Sequence, residues 1–184
     1  YNQANLLKNA LESVLNQTYT DFDVIVVNNH SDDHTLEVVE ACNDSRITAI
    51  NFANEGVIGA ARNRGIKATN GPYVAFLDSD DTWYPTKLEI IHRAIQEDPE
   101  VGVFCHDQEL MWEGSQSGGV SFYGPSESYR ESLHDYLVLV SNCLSTSATV
   151  VARRYLKQVG LFSEARCLIT VEDYDLWIRL SSAC

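Results

Sequence analysis

Tyr73-Val74-Ala75-Phe76-Leu77 is an apolar run of strand length, and it ends in Asp78-Ser79-Asp80-Asp81, three carboxylates within four residues. Gly71-Pro72 bounds the run on its other side, so it reads as a buried strand with the acids where the strand leaves its sheet. In open α/β sheets, ligands bind outside the carboxyl ends of the strands. Like charges packed together there repel, and a divalent cation with hard oxygen ligands is the simplest counterweight. A solvated turn in which an Asp caps the next helix would use the same residues, so the rest of the chain has to decide.

The elements around this run alternate. Leu6, Leu7, Ala10, Leu11, Val14 and Leu15 recur at helical spacing, with Asn5 as the expected N-cap. Residues 22–27 read as a strand, and the polar turn Asn28-Asn29-His30-Ser31-Asp32-Asp33 can cap a helix carrying Leu36, Val38 and Val39 through Ser31 or one of the Asp. A strand over 46–52, a helix over 57–69, a helix over 86–97 opened by Pro85 and a strand over 101–105 follow. This alternation predicts an α/β fold, a Rossmann-like and mostly parallel sheet with helices on both faces. Beyond Asp107, residues 112–128 are rich in Gly and Ser but carry aromatics, as does Tyr129, and read as a long excursion. A helix over 131–140, a strand over 145–152, a helix over 154–159 ended by Gly160 and a helical stretch over 170–183 complete the chain.

Composition removes several function classes. The formal net charge of −13 over 184 residues argues against a polyanion-binding surface, so no nucleic-acid partner is expected. The five cysteines are scattered and include no Cys-x-x-Cys, which leaves neither a disulfide framework nor a zinc site. Cys42 and Cys105 read as small core residues of a reducing compartment. With no spanning run and no signal peptide, the expected location is cytoplasmic, with peripheral attachment at the inner face of a membrane as its variant. The chain lacks an initiator Met and stops inside a helical pattern, so it is expected to be an internal piece of a longer protein.

Several side chains could carry chemistry. Asp80 is the first metal-ligand candidate, and Asp78 could join it or accept from a ribose. Two acids suit a metal whose remaining ligands are phosphate oxygens and water. Asn28, Asn29 and Asp32 follow another strand and would reach the same sheet edge, where an Asn carbonyl could accept the N3 proton of a uracil; turn chemistry favours the same residues. Residues 56–65 match neither a Walker loop nor a dinucleotide fingerprint. Arg62 and Arg64 lie on different helix faces there, so one can face a nucleotide. Glu172-Asp173 opens a helix, where acids complement the dipole or serve as a general base. His106, Trp83 and Tyr84 could line the same cleft or simply pack.

Taken together, five pieces in this order resemble the family 2 glycosyltransferases of the GT-A fold. They are Leu11-Glu12-Ser13-Val14-Leu15-Asn16-Gln17-Thr18-Tyr19, Val26-Val27-Asn28-Asn29-His30-Ser31, Asn54-x-Gly56 with Ala61-Arg62-Asn63-x-Gly65, the run from Gly71 to Asp81, and Glu172-Asp173-Tyr174-Asp175-Leu176-Trp177-Ile178-Arg179-Leu180. The resemblance implies a nucleotide-diphospho-sugar donor, often UDP-linked, and a Mn2+ or Mg2+ ion. It places Asp80 on the metal, Asp78 on the ribose or a metal-bound water, Asn29 at the base and Arg62 near the nucleotide. Asp173 becomes the catalytic base, with Glu172 beside it. The implied reaction is an inverting displacement onto a carbohydrate or lipid-linked hydroxyl, as cell-wall or polysaccharide synthesis requires.

It also implies one GT-A domain over 1–184, truncated at both ends, with a nucleotide-binding half at 1–107 and an acceptor and base half at 108–184. Acceptor choice would lie in the loops at 112–128 and 143–167. Two departures stand out. The family's Asp-Asp-Gly-Ser is Asn28-Asn29-His30-Ser31, and its first strand, which runs into Tyr1-Asn2, is absent. A degenerate, non-catalytic nucleotide-sugar binder is one rival reading. A phosphatase of the haloacid dehalogenase type, with Asp78 as nucleophile in Asp78-x-Asp80-x-Thr82, is another.

Overall fold

The first helix, α1 (Ala4–Leu15), buries Ala4, Ala10, Leu11 and Val14 along one face. Its cap is not Asn5: the N-cap position is Gln3 and makes no side-chain cap bond. The Ala4 amide instead donates to Asp33 Oδ2 at 3.0 Å, across 29 residues. Asp33 serves a second helix too, because its Oδ1 accepts from the Thr35 amide at 3.1 Å where α2 (Thr35–Ala41) begins. The Thr35 hydroxyl, which also donates to Oδ1, and then the Ala4 amide hold the Asp33 carboxyl below the ordinary range. One carboxylate therefore satisfies orphan amides of two helices and ties α1 to α2. The structure, a computed structural model, describes residues 1–111, 121–125 and 133–184.

Between the helices, β1 (Val24–Asn28) pairs in parallel with β2 (Ile47–Asn51), with Asn28 opposite Asn51 at the carboxyl end. α3 (Ile58–Ala68) packs on β1. β3 (Tyr73–Ala75), α4 (Lys87–Glu97) and β4 (Val103–Cys105) follow. The hairpin-like pair of β5 (Gln108–Leu110) and β6 (Ser121–Tyr123) leads to α5 (Leu133–Leu139), β7 (Thr149–Ala152), α6 (Arg153–Val159) and α7 (Glu172–Ser181). Gly160 ends α6 at φ 88°, a conformation in which glycine meets no Cβ penalty. Most of the aromatic excursion, residues 112–120 and 126–132, lies outside the described residues.

β7 inserts between β3 and β4 and runs antiparallel to both, so β3 and β4 point the same way. All four residues of β7 are buried, as a central strand covered on both faces requires. The core gathers Val74 and Phe76 from the β3 run, Val151 from β7, Leu156 from α6 and Leu176, Trp177 and Leu180 from α7. Phe76, Phe162 and Trp177 meet as a trio, with Phe76 and Phe162 edge to face at 5.3 Å and 87°.

The β1–β2 pair and the β3–β7–β4 sheet share no strand pairing. Between them runs a trough of about 1200 Å³. Its apolar walls come from Val24 and Val26 of β1, Tyr73 and Ala75 of β3, Leu11 of α1 and Ile91 of α4. Asn29, Arg62, Asp78 and Asp80 line the same trough at the carboxyl ends of the strands.

Candidate active site

The acidic loop leaves β3 and closes a turn in which the Asp81 amide donates to the Asp78 carbonyl at 3.1 Å. Asp78 and Asp80 part here. The Asp78 carboxylate is engaged, its Oδ1 accepting from Arg62 Nη2 at 2.9 Å, and its side chain is 43% exposed. Asp80 is exposed, and its carboxylate has no hydrogen-bond or ion-pair partner among the described residues. A hard, unneutralised carboxylate beside a half-engaged one suits a divalent ion completed by phosphate oxygens and water. Among the described residues no group of three or more His, Cys, Asp or Glu could hold a metal by itself.

Arg62 is the hub. It projects from α3, is 15% exposed, and reaches Asp78 with one nitrogen and Glu172 Oε1 with the other at 2.7 Å. Its guanidinium also lies 5.4 Å from the Phe162 ring centre. A guanidinium fork with two anions is well suited to hold two elements at a fixed spacing. Here it joins the end of β3 to the start of α7. Glu172 is therefore turned inward, with a side chain only 6% exposed and a buried Oε2 that has no partner among the described residues. It stands behind the site as the counter-ion of Arg62, not as a second accessible acid.

Asp173, the next residue, is half-buried. Its Oδ1 accepts from the Tyr174 amide at 2.7 Å and its Oδ2 from Thr146 Oγ1 at 3.2 Å. Burial raises its carboxyl above the ordinary 3.8; the Tyr174 amide and Arg62 pull the other way, and Glu172 adds to the rise. A carboxylate whose basicity is lifted by burial is fitted to receive a proton.

At the end of β1, Asn28 is 4% exposed and spent at both ends. Its Nδ2 donates to Asn51 Oδ1 at 2.8 Å, and its Oδ1 accepts from the Ser31 amide at 3.1 Å. Asn29 lines the trough; its Oδ1 accepts from the Asn54 amide at 3.0 Å, and its Nδ2 makes no hydrogen bond among the described residues. Asp32 sits apart on the outer side of the turn, accepting from the Tyr1 hydroxyl at 2.6 Å, and does not line the trough. His106 Nδ1 lies 2.8 Å from the Asp107 carbonyl, and burial lowers its imidazole. Trp83 lines the trough, its Nε1 donating to the Ser147 carbonyl at 2.8 Å, whereas Tyr84 is 71% exposed, bonds Glu109 and does not line it.

A family model for Glycosyl transferase family 2 matches residues 1–159. The chain belongs to that family. It spans about a quarter of the length of the first curated proteins it matches. An uncharacterized glycosyltransferase of Rickettsia bellii is 34% identical over 99% of this chain and 25% of its own length. The Escherichia coli protein WfaP, named a UDP-Glc:alpha-D-GlcNAc-diphosphoundecaprenol beta-1,3-glucosyltransferase, is 32% identical over 99% of this chain and 67% of its own. Among solved structures, residues 1–349 of Staphylococcus aureus TarS in complex with UDP superpose with a TM-score of 0.73, at 23% identity, covering 98% of this chain and 52% of that one. The fold is GT-A, as the order of motifs implies. Family membership leaves the phosphatase without support, and an Asp78 held by Arg62 is a poor nucleophile.

The sequence reading gathers Asp78, Asp80, Arg62, Asn29 and Asp173 around one cleft; the first four line the trough, whereas Asp173 is not among its lining residues and is joined to them through the neighbouring Glu172–Arg62 pair. It misses Thr146 and Ser147, two buried hydroxyl residues that touch both acidic stretches. A signal existed in the run Ser145-Thr146-Ser147-Ala148-Thr149, too polar for a strand start with no turn residue to explain it.

Proposed function

We propose that this domain transfers a sugar from a nucleotide-diphospho-sugar, with UDP as the carrier, to an acceptor hydroxyl with inversion at the anomeric carbon. The observation that carries the reading is the Asp78–Arg62–Glu172 bridge. It ties the acidic loop that carries Asp80 to the start of the helix that carries Asp173. In the reaction, Asp173 takes the proton of the acceptor hydroxyl, whose oxygen forms the new bond to the anomeric carbon. The bond to the diphosphate oxygen breaks, and its electron pair leaves with the diphosphate. The transition state gains oxocarbenium character, as in glycoside hydrolysis.

Asp80, with Asp78 beside it, would hold Mn2+ or Mg2+; the chemistry such an ion supplies is neutralisation of charge on the departing diphosphate. Asn29 Nδ2 would donate to a base carbonyl, a contact that uracil offers. The UDP in TarS and the UDP-Glc in the name of WfaP favour a UDP-linked donor. The acceptor class is a carbohydrate or lipid-linked hydroxyl.

Melting of the protein with UDP and Mn2+, repeated with EDTA and in Asp80→Ala, tests this. Stabilisation needs both the metal and Asp80, and a ligand at 100 times its Kd contributes about 2.7 kcal/mol. Asp173→Asn keeps the UDP shift while turnover of a UDP-sugar falls by about 10²- to 10⁴-fold. Equal loss of UDP binding in both variants would overturn the division of roles.

A further inference from the structure

Four consecutive residues ahead of and entering β7, Thr146, Ser147, Ala148 and Thr149, are each at most 5% exposed, and three of them carry hydroxyls. A buried hydroxyl is costly unless it is bonded, and each of these is. Thr149 Oγ1 donates to the Ser145 carbonyl at 2.7 Å, and the Ala148 amide donates to the same carbonyl at 3.2 Å, so the turn closes on itself. Ser147 Oγ accepts from the Asp78 amide at 3.0 Å, while its carbonyl accepts from Trp83 Nε1 and from Lys87 Nζ, both at 2.8 Å. On the other side Thr146 Oγ1 donates to Asp173 Oδ2. A single buried turn thus anchors the backbone of the acidic loop and touches the Asp173 carboxylate. The next strand pins it to the core, where β7 pairs with β3 and β4.

We propose that Thr146 is a positioning residue, its hydroxyl holding the Asp173 carboxylate at a set place relative to the Asp78–Asp80 loop. The reaction-level meaning of that role rests on the reading of Asp173 as the base. Asp173 Oδ1 is already taken by the neighbouring Tyr174 amide, a contact within α7 that fixes nothing relative to the acidic loop. The Thr146 bond reaches the other oxygen from the strap and leaves it a lone pair for an acceptor hydroxyl. The charged and titratable groups that bear on Asp173 are Glu172 from its own helix, Arg62 from α3 and Tyr123 from β6. Among the described residues, Thr146 is the one that couples its orientation to the strap that also holds Asp78.

The test compares the whole protein with Thr146→Val, which keeps the shape and removes the donor, and Thr146→Ser, which restores a donor. Aspartate carboxyls are followed by 13C NMR, and the Asp173 signal is assigned by its loss in Asp173→Asn. Thr146→Val moves the Asp173 midpoint upward by about one pH unit, and Thr146→Ser returns it toward the parent value. The acid limb of UDP-glucose turnover moves in step. An unchanged midpoint in a folded Thr146→Val protein would mean that Thr146 only packs, and the proposal fails. A midpoint that moves while the turnover limb stays fixed supports the positioning contact and instead removes Asp173 from the role of base.

Discussion

At the scale of the residue, Lys87 is a cation placed where solvent does not reach. It is 6% exposed, lies 3.6 Å from the centre of the Trp83 ring and donates to the Ser147 carbonyl. Desolvation pushes its ammonium down to about 7, against the pull of Cys105 and Asp81. Between that value and the ordinary 10.5 the unfolded chain holds a proton that the folded one has released, so stability rises with pH across this window. Urea unfolding at about pH 7 and about pH 10 should record that rise, and Lys87→Met should flatten it. His30 is a second strained position. Its φ of 50° lies in the left-handed region, at the point where the resembling family carries glycine. His30→Gly is expected to stabilise the protein by about 1 kcal/mol, read as a rise in Tm of about 2–4 °C.

Elements are held together by contacts that their own periodicity does not encode. α3 approaches the segment at 162–164 closely: a Cβ on Gly59 would lie 2.5 Å from the Ser163 carbonyl oxygen and 3.2 Å from Phe162 Cβ. One turn later Asn63, 3% exposed, donates to the Phe162 carbonyl and accepts from the Phe162 amide at 3.0 Å. Glycine and asparagine here serve one end, seating Phe162 against Phe76 and Trp177 and under Arg62. Gly59→Ala is expected to cost about 1–3 kcal/mol by overpacking. Near-ultraviolet circular dichroism should register the displaced aromatic trio, and an unchanged spectrum with unchanged stability would contradict the close packing.

For the whole molecule, the dominant feature is the trough between two sheets that do not pair. Among the described residues β1 and β3 each have one edge without a strand partner, and the side chains along the trough include Val, Ile, Tyr and Ala. Half-buried Val24, Ile25, Val26 and Val27 leave apolar surface in contact with water. An extended apolar segment of strand length, joined ahead of Tyr1 at the rim of the trough, is expected to raise Tm by about 2–4 °C for each kcal/mol it adds. A melting point that does not move on such an extension, with no gain in amide protection along β1 and β3, would show that the trough takes no strand.

Local order was legible in the sequence because apolar periodicity reports which face of an element is buried. The helices at α1, α3, α4 and α7 and the strand run into Asp78 were all readable in this way, and so was the succession of motifs that marks the family. Pairings between distant polar groups were not legible. Nothing in the spacing of Arg62 announces that Glu172, 110 residues away, takes one of its nitrogens. Nothing near Ala4 announces that Asp33 caps it, or near Asp173 that Thr146 holds it. Such contacts depend on where the folded elements sit, since a hydrogen bond acts over about 3 Å and has no signature along the chain. By itself, then, the sequence determined the α/β elements, the acidic strand end and the family. Only the tertiary structure decided that Glu172 turns inward as a counter-ion, that Asp80 has no partner among the described residues, and that β7 is threaded between β3 and β4.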